Sequence, residues 1–445
     1  MHSIDEQFWD KERETLLPEK RQALIFQRLK SQLEYAYEKI PFYQQLYNEH
    51  GVHPDDIENL EDFSGKVPVV TKAMLRQSQQ DYPPFGNYLG VDFSDVKRIQ
   101  GTSGTTGQPT LFAISGDDWD GISEAQALQC WAAGLRANDI VQIVFPLSLY
   151  VGGWGLLGAA EKIGAKVLPM AGGNTERQIM MLQQVGTTVL CGTPSYCLHI
   201  LETAQDMGVD LSSSRLRLGF FGGEPGGSIP AVKKRLEEGF GISAIDFGNV
   251  AELHPCSNME CSERTGMHVY QDIDYAEVVD PENPNRLLGY NQRGAVVYTH
   301  LWRRSQPMIR YYPGDETLMT DEPCSCGRTY PRLPQGIIGR LDDMIIVRGV
   351  KFYPSDVEDI LRSIDGMGTE FRIVLEQSGA LDEIRVEAEV EPSVKPSQFL
   401  NQAERNLKAN LGLRVNVEAC DPGSFPSNMF KARRVIDRRN RNLDE

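Results

Sequence analysis

Polar and apolar positions repeat with a helical period over residues 5–50, where Glu, Lys, Gln and Arg fill the polar positions. Apolar side chains that recur three or four positions apart form one face of a helix, so the pattern predicts a helical segment that ends at Pro41. The apolar positions of that face are Leu24, Phe26, Leu29, Leu33 and Tyr37. Residues 51–95 contain several Pro and Asp positions, which predict short helices and loops.

The pattern changes at residue 97, where short apolar runs begin to alternate with helical stretches. Such alternation is typical of parallel sheets with helices on their faces. The runs that predict strands are 140–145, 166–169, 187–191 and 216–221. The helical stretches lie near 119–135, 155–164, 175–185 and 195–207. Residues 260–330 are richer in strand and turn patterns.

A hinge-like segment near 339–348 separates a C-terminal part that has the size of a small domain. Its pattern predicts helices at 355–363 and 396–411 and strands at 371–375, 384–390 and 413–417. The expected fold class is α/β, with a large N-terminal domain of mixed or parallel sheets flanked by helices and a small, mobile C-terminal α+β domain. The expected parts are a helical segment 1–95, a core 96–340 and a lid domain 341–445.

The amino-acid composition argues against several classes of protein. Lys and Arg number 45 against 62 Asp and Glu, which gives a net charge of −17 and disfavours a nucleic-acid partner. The most apolar stretch, 151–168, is interrupted by Glu161, Lys162 and Lys166, so neither a membrane span nor a membrane partner is expected. The acidic N-terminus lacks the apolar core of a signal peptide. Eight cysteines are too few for a disulfide scaffold, and a reducing cytoplasm is expected.

The segment Gly101–Thr110 contains three glycines and five hydroxyl side chains directly after a predicted strand. A loop of this kind exposes backbone N–H groups and hydroxyl donors together, and both suit the oxygens of a polyphosphate. The sequence lacks the Lys-Ser/Thr pair of a P-loop. The alternative interpretation is a flexible surface linker, because linkers are also rich in Gly, Ser and Thr.

Thr102-Ser-Gly-Thr-Thr-Gly-Gln-Pro-Thr110 resembles the phosphate-binding signature of the acyl- and aryl-CoA synthetase superfamily of adenylate-forming enzymes. Further segments resemble the motifs of that superfamily in the same order. They are Phe221–Pro225, Asp246–Glu252, Arg310–Asp315, Gly339–Val350 and Met429–Arg439. The sequences of Arg348–Glu358 and Cys324–Arg328 are similar to those of one branch, the phenylacetate–CoA ligases and their relatives.

The resemblance implies a reaction in two halves that uses ATP and coenzyme A together with the cofactor Mg²⁺. A carboxylic acid attacks the α-phosphate of ATP and gives acyl-AMP and pyrophosphate, and the CoA thiol then displaces AMP. A carboxylic acid is already ionised at pH 7, so the first half needs charge neutralisation and placement rather than a general base.

The resemblance also implies positions for the nucleotide. Asp315 would bind the ribose hydroxyls, with Arg340 beside it. The phosphates would lie against Thr102, Ser103, Gly104, Thr105, Thr106 and Gly107. The adenine side would be formed by Gly222, Gly223, Glu224, Pro225, Asp246, Phe247 and Gly248.

Four residues would carry the chemistry and the domain movement that the resemblance implies. Lys431 would bridge the carboxylate and the α-phosphate, and Glu252 would bind Mg²⁺. Asp342 would be the pivot of the small domain, and Gly349 would let the CoA thiol pass close to the backbone. The chain departs from the family pattern at Met429-Phe430, where a Gly usually precedes the lysine, and the Glu252 segment is one residue longer than usual.

An aromatic pocket for the acyl group is expected at Phe145–Trp154, where two glycines separate Tyr150 from Trp154. Gly153 would leave room for a ring, and Phe247 would lie in the neighbouring aromatic position. The alternative interpretation is that these aromatic side chains belong to the core.

A structural zinc site is expected from Cys261, His268, Cys324 and Cys326, because a Cys₃His set suits tetrahedral Zn²⁺. Some members of the resembled branch carry such a zinc. Cys256 is an alternative ligand. The other interpretation is a scatter of free, inert cysteines.

The hypothesis that follows is an ATP-dependent carboxylate–CoA ligase for an aryl or arylacetic acid. One alternative is an adenylate-forming enzyme that passes its group to an acceptor other than CoA, and another is a non-catalytic nucleotide or acyl sensor. Dimers are common in the resembled branch, so a homodimer is an expectation.

Overall fold

The computed structural model describes residues 2–102, 109–378, 381–425 and 434–439. Its N-terminal part is helical, as the sequence predicts. The helices are α1 (Lys11–Glu14), α2 (Pro18–Lys39), α3 (Pro41–Glu49), α4 (Leu60–Lys66) and α5 (Lys72–Asp81). Pro41 ends α2 as expected but also begins α3, because proline has no N–H to leave unsatisfied in a first helical turn.

The N-terminal residues are fastened to a distant part of the chain. The Glu14 carboxylate is fully buried and pairs with the buried Arg328 guanidinium. Arg13 pairs with Asp272 at 2.5 Å, and Gln7 donates to the Cys326 carbonyl at 2.9 Å. The contacts of Gln7 and Glu14 hold the first residues of the chain against Cys326 and Arg328, and that of Arg13 holds them against Asp272.

The centre of the molecule is an eight-stranded mixed sheet. Five of its strands run parallel and alternate with helices, which confirms the predicted α/β class. The parallel strands are β4 (Ile140–Ile143), β5 (Lys166–Leu168), β6 (Val189–Gly192), β7 (Leu218–Gly222) and β8 (Ser243–Val250). The antiparallel strands are β9 (His254–Glu260), β10 (Met267–Val269) and β16 (Arg332–Leu333). The helices are α6 (Gly116–Ala132), α7 (Val151–Ile163), α8 (Thr175–Val185), α9 (Pro194–Asp206) and α10 (Pro230–Phe240).

A second sheet has seven strands and contains most of the segment Arg310–Asp315. It joins the N-terminal part to the core, because its first strand pairs in parallel with a strand that lies far along the chain. The strands are β1 (Val70–Thr71), β11 (Asp274–Asp280), β12 (Asn283–Leu287), β13 (Arg293–His300), β14 (Tyr311–Tyr312), β15 (Asp315–Leu318) and β17 (Gly339–Arg340). A separate hairpin consists of β2 (Val96–Gly101) and β3 (Leu111–Ser115).

The C-terminal part has its own core between two helices and a four-stranded sheet. Its elements are β18 (Ile345–Val347), β19 (Val350–Phe352), α11 (Pro354–Arg362), β20 (Met367–Ser378), β21 (Leu381–Val390), α12 (Pro396–Leu411), β22 (Asn416–Cys420) and β23 (Val435–Asp437). The strand predicted at 413–417 is displaced, because Leu413 and Val415 pack in the core and pairing with β21 starts only at Asn416. The domain boundaries at 95 and 340 stay predictions.

Among the residues that the structure describes, no helix has the length and apolar character needed to cross a membrane. The apolar stretch 151–168 instead forms α7 and β5, whose buried side chains pack in the core of the eight-stranded sheet.

Candidate functional site

The predicted phosphate loop is the connection between β2 and β3, and hydrogen bonds close its two ends. The Thr102 N–H donates to the Thr110 carbonyl at 3.0 Å, and the Thr110 N–H donates to the Thr102 hydroxyl at 3.1 Å. Gly101 donates to the Leu149 carbonyl at 2.8 Å, so the loop starts beside the segment expected to bind the acyl group. Ser103, Gly104, Thr105, Thr106 and Gly107 lie outside the described residues.

The two segments expected on the adenine side meet because β7 and β8 are neighbours. The parallel register pairs Gly222 with Phe247, and an added Cβ at Gly222 would lie 2.9 Å from the Phe247 ring. Gly223 has φ +86°, a conformation that favours glycine. Glu224 accepts a hydrogen bond from the Ser195 N–H in the first turn of α9 at 2.8 Å. The two segments therefore form one edge of a cleft beyond the carboxyl ends of these strands.

Asp246 is buried at the base of this edge. Its backbone N–H donates to Glu260 at 2.9 Å, and Glu260 pairs with Lys233 at 2.7 Å. Burial, and then the neighbouring Glu260 carboxylate, raise the pKa of Asp246 to about 8. A cavity of about 300 Å³ opens here, and Ser228, Asp246 and Gly336 are among the residues that line it.

The predicted ribose residues are brought together by strand pairing. Asp315 on β15 lies opposite Arg340 on β17, and the Arg340 guanidinium is 3.7 Å from an Asp315 carboxylate oxygen. Arg340 also makes two hydrogen bonds of 2.9 Å to Asp342, the predicted pivot. The position that would hold the ribose is thus ion-paired to the segment that begins the C-terminal part.

Glu252 lies in the interior and is paired with a lysine that sequence analysis missed. Its side chain is 5% exposed, and one carboxylate oxygen is 3.1 Å from the Lys72 ammonium. Burial, and then the Glu252 carboxylate, raise the pKa of the Tyr311 hydroxyl well above its usual value, so Tyr311 lies against the same carboxylate. The sequence signals a helix start at Thr71, but it carries no local sign that this helix begins beside Glu252.

The aromatic segment divides between two places. An added Cβ at Gly223 would lie 3.1 Å from the Tyr150 hydroxyl and 3.6 Å from the Phe145 ring, and the Phe145 and Phe247 ring centroids are 6.0 Å apart. Trp154 instead has its ring 5.3 Å from the Arg98 guanidinium and donates its indole N–H to the Ser148 carbonyl.

Gly153 is closely packed, since an added Cβ there would lie 3.0 Å from the Leu147 side chain. Tyr150, Phe145 and Phe247 therefore surround Gly222 and Gly223, while Trp154 takes part in a cation–π contact with Arg98.

The predicted zinc ligands converge. The ligand atoms of Cys261, His268, Cys324 and Cys326 all lie within 4.8 Å of one another in a buried position. The Cys261 and Cys324 sulfurs are 3.8 Å apart, and the Cys326 sulfur is 3.4 Å from His268 Nε2. The hydrogen bond with Cys261, and then the contact with His268, hold the pKa of the Cys326 thiol well below its usual value.

Cys256, the alternative zinc ligand, packs in a different place. It belongs to the core of the eight-stranded sheet together with Cys130. The four remaining side chains offer three sulfurs and one imidazole nitrogen, and this donor set fits a tetrahedral Zn²⁺ ion.

A second buried group of His254, Asp274 and His300 was not predicted from the sequence. His254 Nε2 lies 2.9 Å from Asp274, and His300 Nδ1 accepts the Met308 N–H at 2.9 Å. Because Nδ1 of His300 is an acceptor, its Nε2 carries the ring proton and offers no lone pair to a metal. The group is therefore a hydrogen-bonded part of the interior.

Gly349, which the resemblance places on the CoA side, lies in a two-residue turn between β18 and β19. Arg348 and Gly349 have φ values of +51° and +81°, and no described atom lies within 4 Å of an added Cβ at Gly349. Lys431, the predicted catalytic lysine, is outside the described residues together with Met429 and Phe430. The nearest described part of that segment is Arg434, which pairs with Glu358 and Glu370.

Comparison with known proteins agrees with this arrangement. The chain matches the AMP-binding enzyme family over residues 46–275 and the C-terminal domain of AMP-binding enzymes over 349–439. The phenylacetate-coenzyme A ligase of Thermus thermophilus is 36% identical over 96% of this chain and 99% of its own length. The Escherichia coli phenylacetate-coenzyme A ligase is 34% identical over 96% of this chain and 97% of its own length.

Solved structures extend the comparison. A 2-hydroxyisobutyryl-CoA ligase with a bound acyl-AMP in the postadenylation state is 41% identical, has a TM-score of 0.94, and covers 98% of this chain and 94% of its own. The same kind of ligase with acyl-AMP and CoA in its thioester-forming state has a TM-score of 0.76 and covers 99% and 94%. The resemblance to phenylacetate–CoA ligases is confirmed. The chain belongs to the AMP-binding enzyme family, and it is an AMP-forming acid–CoA ligase.

Proposed function

We propose that this ligase joins an aryl or arylacetic acid to CoA through an acyl-adenylate. The observation that carries the choice of acid is the group formed by Phe145, Tyr150 and Phe247 around Gly222 and Gly223. Aromatic rings favour offset or edge-to-face contacts with another ring, and Phe145 and Phe247 already pack edge to face at 70°. The curated relatives named phenylacetate-coenzyme A ligase support the same class of acid.

The first half-reaction brings two anions together. A carboxylate oxygen attacks the α-phosphorus, and the bond to the bridging oxygen breaks as pyrophosphate leaves with the electron pair. In this proposal Lys431 neutralises the two reacting anions, and Mg²⁺, held by Glu252, supplies charge neutralisation at the phosphates. A buried carboxylate is a suitable ligand for this hard cation.

The nucleotide is positioned in the proposal by residues on strand ends. The Asp315 carboxylate accepts hydrogen bonds from the ribose hydroxyls, with Arg340 as its charged neighbour. The adenine lies against Glu224 and Pro225, next to the aromatic group that receives the acid. In the second half-reaction the CoA thiol approaches past Gly349, attacks the acyl carbon and displaces AMP, after the C-terminal part has turned at Asp342.

A structural zinc ion belongs to the proposal as well. Cys261, His268, Cys324 and Cys326 would fill all four positions of a tetrahedral ion, so no position is open for a catalytic water. The ion would hold the segment after β9 against residues 324–326.

A smaller hydroxy acid is the second candidate substrate. The 41% identical ligases whose structures are solved carry 2-hydroxyisobutyryl-AMP and a related adenylate, and their chains align with 98% of this one. A short hydroxy acid needs less apolar area than a ring, so the aromatic group at Gly223 favours the aryl candidate.

The test is pyrophosphate release with ATP and Mg²⁺ over a panel of aryl, arylacetic, short hydroxy and amino acids, each with and without CoA. We expect release with phenylacetate-like acids and turnover sustained only with CoA. Lys431→Ala should lower the rate by about 10²–10³-fold, the usual effect of removing one positioned transition-state contact. Preference for 2-hydroxyisobutyrate would favour the second candidate, and release that ignores CoA would contradict the ligase assignment of the acceptor.

A further inference from the structure

Residues 321–331 form a loop, the cysteine loop, that carries two of the four residues of the buried Cys₃His group. The loop contains a single turn and no helix or strand. In that turn the Gly327 N–H donates to the Cys324 carbonyl at 3.0 Å. A segment without ladder hydrogen bonds is not held by its own backbone, so its position depends on the groups that it touches.

One set of these contacts is the Cys₃His group itself. A divalent ion on three thiolates and a neutral imidazole leaves one net negative charge in a buried position. A buried charge is costly unless it is paired or hydrogen-bonded. The Arg328 guanidinium can provide both, since its side chain is 1% exposed and it is hydrogen-bonded to the Cys326 side chain. Arg328 therefore belongs to the surroundings that a metal ion would meet.

The other set of contacts is with the start of the chain, residues 6–16, which we name the strap. The Arg328 Nε donates to the Glu14 carboxylate at 2.5 Å, and its Nη2 donates to the Gln7 carbonyl at 2.9 Å. The Gln7 amide donates in return to the carbonyl of Cys326 at 2.9 Å. One arginine thus connects the Cys₃His group to the strap, and Gln7 holds the backbone of a ligand residue.

The strap depends on this connection because it has little support of its own. Its helix α1 is four residues long, and a helix of one turn is unstable alone in water. Glu14 is its buried residue, and the buried partner of that carboxylate is Arg328. The next residue of the cysteine loop continues the contact, since the Thr329 N–H donates to the Glu14 carbonyl at 3.1 Å and its hydroxyl donates to the Leu16 carbonyl at 2.6 Å.

We propose that metal binding by the Cys₃His group fastens the strap, and that Arg328 is the residue that couples the two. The inference rests on the zinc ion of the proposed function. When Cys324 and Cys326 are held as ligands, the cysteine loop is fixed and Arg328 is presented to Glu14. Coupling between two binding events is reciprocal, so the docked strap in turn strengthens metal binding.

The direct test is hydrogen–deuterium exchange of the full-length chain with zinc bound, after zinc is removed by a chelator, and after zinc is restored. The reporters are the Glu14 and Thr15 amides, which donate to the carbonyls of Asp10 and Lys11. We expect these amides to exchange about 5- to 150-fold faster without zinc, the usual range of coupling between two sites, and to regain protection on reloading. Helix α12, in the separate C-terminal core, is the internal control and should not change.

The reciprocal test is zinc affinity, measured by competition with a chromophoric chelator. Arg328→Gln should weaken zinc binding by about 10–100-fold, as is usual for a residue that orients a metal ligand. Gln7→Ala changes an exposed strap residue and keeps every ligand, and it should weaken binding by about 2- to 10-fold, as for one hydrogen bond. The matched control is Gln45→Ala on α3, an exposed glutamine whose amide donates to Glu49 at 2.8 Å.

Several results would overturn the inference. Strap amides that exchange equally with and without zinc would show that the strap docks independently. An equal acceleration in α12 would show general unfolding instead of coupling. If Arg328→Gln does not fold, Gln7→Ala still decides, because zinc affinity equal to that of the wild type would exclude reciprocal coupling.

Failure of the proposed function would be visible separately. A purified chain that holds no zinc and binds none on addition would contradict the zinc ion of the proposed function, and this inference would fall with it. A strap that responds to zinc in a chain that activates no acid would contradict the proposed reaction alone, because neither exchange nor zinc affinity depends on turnover.

Discussion

At the scale of single residues, the site contains three buried or half-buried carboxylates, and their neighbours differ in the sign of their charge. Glu252 faces Lys72, Asp315 faces Arg340, and Asp246 faces Glu260. Only the third of these neighbours carries a like charge. A like charge and burial both disfavour ionisation, so Asp246 differs in protonation from an ordinary surface aspartate.

Asp246→Asn should change how stability depends on pH. The folded protein keeps this carboxyl protonated up to about pH 8, while the unfolded chain releases the proton near 3.8. Between these values the folded state holds the extra proton, so raising the pH lowers the free energy of unfolding, by at most about 1.4 kcal/mol per pH unit. Asn does not titrate, so urea unfolding from pH 5 to 8 should show the wild type losing stability relative to the variant.

Glu260 and Lys233 are present in both proteins, so the comparison isolates the Asp246 proton. A constant difference between wild type and Asp246→Asn over this pH range would show that the carboxyl is already ionised at pH 5.

At the scale of elements, the ends of helices were predictable where their signals are local. Helix α8 begins after Asn174, whose side chain caps it, and ends at Gly186; α12 begins at Pro396 and ends at Gly412. The predicted ranges 175–185 and 396–411 agree with these helices, because the capping residues and terminal glycines stand next to the helix in the sequence. The meeting of Cys261, His268, Cys324 and Cys326 in one buried group was also predictable, since a set of cysteines and a histidine has a distinctive chemistry.

Pairings between distant strands were not predictable from local patterns. The hydrophobic period does not state that β1 lies beside β14, so the contact of Lys72 with Glu252 had no signal in the sequence. The placement of Trp154 was missed for the same reason, because its partner Arg98 lies on a separate hairpin.

Cys326→Ser should remove the metal and weaken the connection between the segment after β9 and residues 324–326. We expect metal analysis to find one zinc per wild-type chain and much less in the variant, with a melting temperature lower by several degrees, as for a loss of about 1–3 kcal/mol in a large domain. Cys256→Ser is the control, because that cysteine packs elsewhere in the core. Zinc retained by Cys326→Ser, or absent from the wild type, would contradict the site.

At the scale of the whole molecule, the C-terminal part rests on α10 of the core. The Asp359 carboxylate accepts the Ala231 N–H at 3.2 Å in the first turn of α10, and it replaces the side-chain cap that Ile229 lacks. Arg235 on the same helix lies 3.9 Å from Glu391. Burial raises the pKa of the Glu224 carboxyl. The positive charge of Arg434, in the segment that follows Lys431, opposes part of that rise. The TM-score is 0.94 with the postadenylation structure and 0.76 with the thioester-forming one.

Asp359→Asn should slow the adenylate-forming half-reaction selectively. The Asp359 carboxylate stabilises the present orientation of the C-terminal part by about 1 kcal/mol, because it lies at the positive end of the α10 dipole. Its loss should therefore lower the rate of ATP–pyrophosphate exchange by up to about fivefold. Thioester formation from supplied acyl-AMP should stay constant or rise, because the proposed reaction assigns it to the turned orientation. The control is Asp365→Asn, which changes an exposed residue just beyond α11, the helix that carries Asp359. Equal losses in both half-reactions would contradict a role in orientation.

The pairing of Glu14 with Arg328 has a consequence for synthesis on the ribosome. The partners are 314 residues apart, and translation adds about 5–20 residues per second, so Glu14 emerges roughly 15–60 s before Arg328 exists. During that time the N-terminal helices lack the surface that later buries them. The nascent chain therefore completes the packing of its N-terminal part only after Arg328 has been synthesised.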